Sequence, residues 1–417
     1  VKKISRISAG CGVSQTPKSN LKLKGDNLVN IKYHKLEKSE KITLLFLSWR
    51  DIKAPKKGGA EVYTHEMLKR INFDKYRIIH FSPSFQGGKE IEDIDNITYI
   101  RSGNSFSVIG DARKYYKANE ENINFVVDQC NTHRFFTKFW VEAKKRIFFI
   151  HQLTREIWFM NAKFPVSAIG YITETPFLKL SKNDYTMTVS ESTKKDLIKI
   201  GFDIDKVRIL PEGIEFTHWK KEEFKEKEKC PTFIYVGRFV NYKGIDACVL
   251  AFAQIKKEYP EAKLYIVGKK NESYIERNLK PIFKEGNITY GGEGDNKDVT
   301  LFGFVSEERK LELMSQSHAL IFPSQREGWG LIVTEAAAVG TPSIVYNSPG
   351  IVDAVDYGNA GYLCEENNVQ NIYTNMRAVI EDKKDYEKHI ESAYEYSLKF
   401  HWDETAKSFD KFIDDII

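Results

Sequence analysis

The sequence predicts an α/β protein built from two doubly wound, Rossmann-like parallel-sheet domains that face each other across a central cleft. At 417 residues the chain exceeds the size at which one hydrophobic core stops growing. Short apolar runs alternate with helical segments, the pattern of parallel sheets covered on both faces. The alternation breaks near Pro211-Glu-Gly213 and resumes at Thr232, which divides the series in two.

Residues 1–41 are polar, basic and weakly periodic, and are expected to form a flexible arm. Within 42–212, the expected first domain, ITLLFLSW from Ile42 reads as a buried strand, Asp51–Gly59 as a loop, and Ala60–Ile71 as a helix. YRIIHFSP from Tyr76, ITYIRS from Ile97, INFVVDQ from Ile123 and RIFFIHQ from Arg146 continue as strands. Thr186–Ser190 is a further strand, and Glu191–Ile200 the helix after it. In 213–390, the expected second domain, strands are expected at Thr232–Val236, AKLYIVG, ITYGG, VTLFGFV, HALIFPS and PSIVYN. Asp382–Ile417 is charged and amphipathic, so one or two helices should close the chain, with 391–417 packing back toward the first domain.

Composition narrows the function classes. No stretch resembles a signal peptide or a run of about 20 apolar residues, so a cytoplasmic protein is expected. Cys11, Cys130, Cys230, Cys248 and Cys364 are scattered and fit reduced core thiols rather than a metal site. The net charge of +5 hides an asymmetry: residues 1–210 carry 37 Lys and Arg against 23 Asp and Glu, and the remainder 26 against 35. A basic first half fits either an anionic partner or a solvated lysine-rich face. FFTKFW, KKR and REIWFMNAKF interleave aromatics with cations between residues 135 and 164. They fit a protein peripheral on the inner face of the cell membrane, or core aromatics alternating with surface lysines. The basic residues follow no nucleic-acid-binding motif, so nucleic acid is not an expected partner.

The segment richest in chemistry is Pro323-Ser-Gln-Arg-Glu327-Gly-Trp-Gly330-Leu-Ile-Val-Thr-Glu335. A strand ending at Phe322 opens into a loop bearing Glu327, and an Ala-rich helix starts at Leu331. Gly328 and Gly330 let backbone N–H groups approach a ligand, and the positive end of the helix favours an anion such as diphosphate. Glu327 and Glu335, two helical turns apart, are spaced to accept hydroxyls from an extended polyhydroxyl ligand. Arg238 and Lys243, after the strand ending in Val236-Gly237, offer a planar fork and a point charge that could together neutralise a diphosphate. That role is often given to Mg²⁺; here no metal is expected.

With these residues in view, the chain from about residue 42 resembles the retaining glycosyltransferases of family 4, the glycogen-synthase-like group with the GT-B fold. The resemblance is carried by Glu327 and Glu335 in EGWGLIVTE followed by Gly-Thr-Pro, and by GRFVNYKG at 237–244. LPEGIE at 210–215, LFGFVSEE at 301–308, GGAE at 58–61 and FIHQ at 149–152 support it. It implies transfer of a hexose-type sugar from a nucleotide-diphosphate sugar, UDP or GDP being expected, bound by 213–390, to a glycan, lipid-linked or glycoconjugate acceptor bound by 42–212. It also implies that Arg238 and Lys243 bind the diphosphate, Glu335 the ribose and Glu327 the transferred sugar. Gly237 and the backbone around Gly328, Trp329, Gly330 and Leu331 complete the pocket. Phe304 and Val305 match the stretch flanking the base, Gly58 and Gly59 a loop closing from the opposite lobe, and His151 a strand-end histidine near the reacting carbon. The diphosphate would be a co-substrate's own, with no separate cofactor.

Two places depart from the family pattern. Glu212 stands where Asn is common, and Ser348-Pro-Gly350-Ile-Val-Asp353 replaces a Gly-Gly pair with Glu. Rival readings are a metal-dependent transferase using Asp93-Ile-Asp95, a catalytically silent sugar-nucleotide-binding subunit, and a phosphorylase of the same architecture. An oxidoreductase is excluded by the lack of a strand running into G-x-G-x-x-G.

Overall fold

The structure is a computed structural model that describes residues 35–131 and 133–417, so most of the arm expected over 1–41 lies outside the described residues. In chain order the strands of the first sheet are β1 (Ile42–Leu47), β2 (Tyr76–Ser82), β3 (Ile91–Ile94), β4 (Ile97–Arg101), β5 (Phe125–Cys130), β6 (Arg146–Ile150), β7 (Tyr185–Thr188) and β8 (Val207–Ile209). They lie in the order β3-β4-β2-β1-β5-β6-β7-β8. The second sheet comprises β9 (Thr232–Val236), β10 (Lys263–Val267), β11 (Tyr290–Gly291), β12 (Val299–Gly303), β13 (Ala319–Phe322), β14 (Ser343–Tyr346) and β15 (Tyr362–Cys364). Its order is β11-β12-β10-β9-β13-β14-β15. All pairings are parallel except β3 with β4.

The central strands are covered on both faces, which is why they read as continuous apolar runs: Leu44 to Leu47 are fully buried, as are Phe233 to Tyr235. Strands β3, β8 and β15 escaped the sequence reading, β8 because its three residues are too few to show a period. Strand β3 falls in a stretch read as an acidic loop; it is a short edge strand, where charged residues are tolerated and the hydrophobic signal is lost. Asp93 there accepts from Thr98 Oγ1 at 2.7 Å. Strand β15 has only three residues, too few to show a period.

The chain crosses between the sheets twice. At the first crossing Gly213 is pressed against the second: a Cβ at this position would lie 2.4 Å from the Trp402 backbone nitrogen. Ile214 bridges to His401. The helix Trp402–Asp414 then lies on the first lobe, against the helix Gly59–Leu68. Phe409 meets the rings of Phe46 and Tyr76, and Trp402 that of Tyr63. Trp402, Phe409, Phe412 and Ile413 are buried, each contributing about 2 kcal/mol by area. Lys75 Nζ reaches Asp410 at 2.6 Å and Asp414 at 2.7 Å, partly exposed pairs that add on the order of 0.5 kcal/mol each.

Candidate active site

In open parallel sheets, ligands bind beyond the carboxyl ends of the strands where the strand order reverses. The reversals fall between β1 and β5 in one sheet and between β9 and β13 in the other. The carboxyl ends of these strands open on a single cavity of about 750 Å³. Its first wall holds Arg50 and the Lys56–Glu61 loop after β1, Asn131 after β5 and His151 after β6. The second holds Gly237, Arg238 and Lys243 after β9, and Glu327 to Ile332 with Glu335 after β13.

Every proposed catalytic and donor-binding residue lines this cavity except Phe304 and Val305. Phe304 is 84% exposed, and Val305 is half-buried against the core. Asp93 and Asp95 do not line it: Asp95 accepts instead from His65 Nε2 at 3.0 Å. Asp353 is also elsewhere, its carboxylate accepting from the backbone N–H and hydroxyl of Ser192 on the opposite lobe.

The Glu327 loop is set by close backbone contact. The Glu327 N–H donates to Pro349 O at 3.1 Å, and Gly350, at φ +80°, packs so tightly that a Cβ would lie 2.1 Å from Glu327 O. The helix Leu331–Ala338 starts from Gly330 in the left-handed region, φ +106°. The buried Trp329 indole lies tilted against Phe400 and donates to Thr334 Oγ1 at 2.9 Å.

Six cations and four carboxylates line the cavity. Glu327 pairs with Lys243 and accepts from Ser324 Oγ at 2.6 Å. Glu335 pairs with Lys310 at 2.7 Å, and buried Glu61 with Arg50 at 3.0 Å. Arg238 donates to Tyr242 OH at 2.6 Å and has no carboxylate partner among the described residues, which leaves its charge for an anion in the cavity. Burial raises the pKa of Glu335, and Lys310 works against the shift. Burial disfavours the Lys310 ammonium, but Glu335 and Glu307 outweigh it and its pKa is raised. His151 is buried, edge-on to Tyr63 at 5.0 Å between ring centroids, with Nδ1 3.6 Å from Glu212.

Sequence reasoning missed Lys310 and the role of Glu61. Lys310 belongs to the helix Glu307–Gln316, one turn after the LFGFVSEE stretch, and nothing in its spacing points to Glu335. Glu61 holds the Gly58-Gly59 loop by accepting from Gly58 N at 2.6 Å and Asn131 Nδ2 at 3.2 Å. The GGAE motif contained that residue and its partner Gly58, but Arg50 and Asn131 reach it from the ends of β1 and β5.

Comparison with known proteins agrees with this geometry. The model of the family described as glycosyl transferases group 1 matches residues 217–396. An uncharacterized glycosyltransferase of Haemophilus influenzae is 31% identical over 157 residues, 37% of this chain and 41% of that protein. Glycogen synthase of Mycobacterium tuberculosis is 23% identical over 228 residues, 54% of this chain and 52% of that protein. The chain spans about half the length of the curated relatives it matches. Among solved structures, Anabaena HepE in complex with UDP-glucose superposes with TM-score 0.64 and 14% identity, covering 90% of this chain and 100% of that one. The fold is GT-B. The cavity is thus the interlobe cleft of a GT-B protein, and its second wall falls within the matched segment.

Proposed function

We propose that the protein is a retaining, metal-independent glycosyltransferase that moves a hexose-type sugar from a nucleotide-diphosphate sugar to a glycan, lipid-linked or glycoconjugate acceptor. One observation carries this reading: an uncommitted Arg238, Lys243 and the start of the helix Leu331–Ala338 converge on one cavity with two carboxylates, opposite the Gly58-Gly59 loop. Cations and helix N–H groups suit a diphosphate; carboxylates suit sugar and ribose hydroxyls. The HepE complex with UDP-glucose supports a nucleotide sugar as donor, with UDP or GDP as the base-bearing group.

Charge grows on the diphosphate as the glycosidic bond breaks. Arg238 and the remaining ammonium hydrogens of Lys243 would stabilise it, each such donor supplying on the order of 3 kcal/mol. The departing diphosphate can take the acceptor proton on the face it leaves, so no strong protein base is required. Glu327 would hold the transferred sugar, Glu335 the ribose, and His151 would lie beside the reacting carbon. Gly58 and Gly59 would close over the site and exclude water. Phe304 and Val305, outside the cavity lining, would flank the base.

The test is a melting and hydrolysis screen against UDP-, GDP-, ADP- and dTDP-sugars with and without chelator. A shift with one nucleotide series, unchanged by EDTA, is expected. A shift without hydrolysis or transfer would favour the silent subunit, no shift with any donor would overturn the donor reading, and turnover that needs inorganic phosphate would make it a phosphorylase.

A further inference from the structure

The helices Ile157–Asn161 and Val166–Leu178 form a hairpin on the first lobe, and the second of them is inside out. A surface helix ordinarily turns its apolar stripe to the core. Here Ser167 and Gly170 face inward and Glu174 is half-buried, while Val166, Ile169 and Ile172 stand outward, Ile172 69% exposed. The inward contacts explain why small and polar residues are needed. A Cβ at Gly170 would lie 2.4 Å from the Trp158 ring, and the Glu174 carboxylate accepts from the backbone N–H groups of Thr154 and Arg155 at 2.5 and 2.8 Å. The outward apolar residues have no such explanation. Phe159 and Phe164 extend the same surface, Phe164 82% exposed. Contiguous apolar surface of this kind marks a docking site.

Charge selects the occupant. Between Ile157 and Leu178 the only acid is Glu174, already committed to the backbone, while Lys163 is exposed and Lys138, Lys179 and Lys182 are exposed around the hairpin. Apolar side chains within a lysine rim, on a half-chain of 37 cations and 23 acids, match an anionic bilayer: the hydrocarbon boundary takes the apolar residues and the headgroups take the lysines. Among the described residues no helix is long and apolar enough to cross a membrane, so this contact would be interfacial. The hairpin also reaches the cleft, since Ile157 and Asn161 line the cavity.

We infer that the Ile157–Leu178 hairpin docks the first lobe on an anionic lipid surface and presents the cavity mouth to a lipid-anchored acceptor. The acceptor class rests on the sugar-transfer reading; docking on the bilayer does not.

Flotation of the full chain at low salt with vesicles of equimolar phosphatidylglycerol and phosphatidylcholine tests it, beside vesicles of phosphatidylcholine alone. Wild-type protein should float with the anionic vesicles and far less with the neutral ones. The triple variant Phe164→Ser, Ile169→Ser, Ile172→Ser replaces exposed side chains outside the cavity. It should lose at least about tenfold in vesicle partitioning with its melting temperature and its donor-induced melting shift unchanged. Wild-type protein that does not float, or a variant that floats equally well, overturns the inference. So does a wild-type dimer in sedimentation that the variant abolishes, since the surface would then be an interface between copies. Vesicle binding without a melting shift for any donor would overturn the acceptor assignment and the sugar-transfer reading while leaving docking intact.

Discussion

The two walls of the cleft are built differently. On the second wall the carboxylates Glu327 and Glu335 are each tied to a lysine, and the turn beneath Glu327 is locked by Gly350. On the first wall Glu61 fixes the Gly58-Gly59 loop, but Lys56 and Lys57 stand exposed with no ion-pair partner among the described residues. A wall of prearranged charges suits one fixed ligand geometry, since groups that need not reorganise stabilise developing charge most. A wall with exposed, unpaired cations suits, on the proposed reading, an acceptor whose shape the fold does not dictate.

The largest effect should come from the second wall. Arg238→Ala should lower turnover at least about 100-fold, with the melting temperature nearly unchanged because the side chain is exposed. Near-normal turnover in a steady-state assay would break the comparison, because the one uncommitted cation of the prearranged wall would then be idle.

An intermediate effect is expected at Lys310→Met. Removing the partner of Glu335 should raise the donor KM about tenfold and change kcat less, since the pair is assigned to ribose rather than to the reacting bond. Its pH dependence has a definite sign. Burial already holds the folded pKa of Glu335 above its ordinary value of 4.5. The stability this group contributes is therefore fully present below 4.5 and is lost as pH rises through the folded value. Without Lys310 the folded pKa climbs further and the loss grows. The melting temperature of the variant, relative to wild type, should fall as pH rises above 4.5. A constant difference over that range would show that the lysine does not offset the buried carboxylate.

The smallest effect is expected on the first wall. Glu212→Gln keeps the shape beside His151 and removes the charge, and turnover should stay within about threefold. A loss comparable to that at Arg238 would make the two walls equally prearranged and move His151 and Glu212 into the chemistry.

The same contrast explains what the sequence disclosed. The fold was legible because buried parallel strands leave long apolar runs, and the second wall because the residues proposed for diphosphate and sugar fall at fixed local spacing, as in Glu327 and Glu335. Lys310 was hidden because its contact with Glu335 joins two separate helices, and Asn131 because it reaches Glu61 from another strand end; local spacing carries no record of either. Strand β3 was missed for a different reason: at a sheet edge its acids are compatible with pairing, so polarity misleads. The hairpin was noticed only as interleaved aromatics and lysines, a pattern equally compatible with core packing. Which of its faces is buried is decided by Trp158 seating on Gly170, a contact visible only in three dimensions.

The helix Trp402–Asp414 packs its rings on Phe46, Tyr63 and Tyr76 of the first lobe, and its Asp410 meets Lys75 across 335 positions of sequence. During synthesis on the ribosome, the first lobe must therefore wait with the surface around Phe46, Tyr63 and Tyr76 uncovered while the entire second lobe is made. Nascent chains arrested before residue 402 should bind a hydrophobic dye or a chaperone at that surface and release it once residues 402–414 emerge.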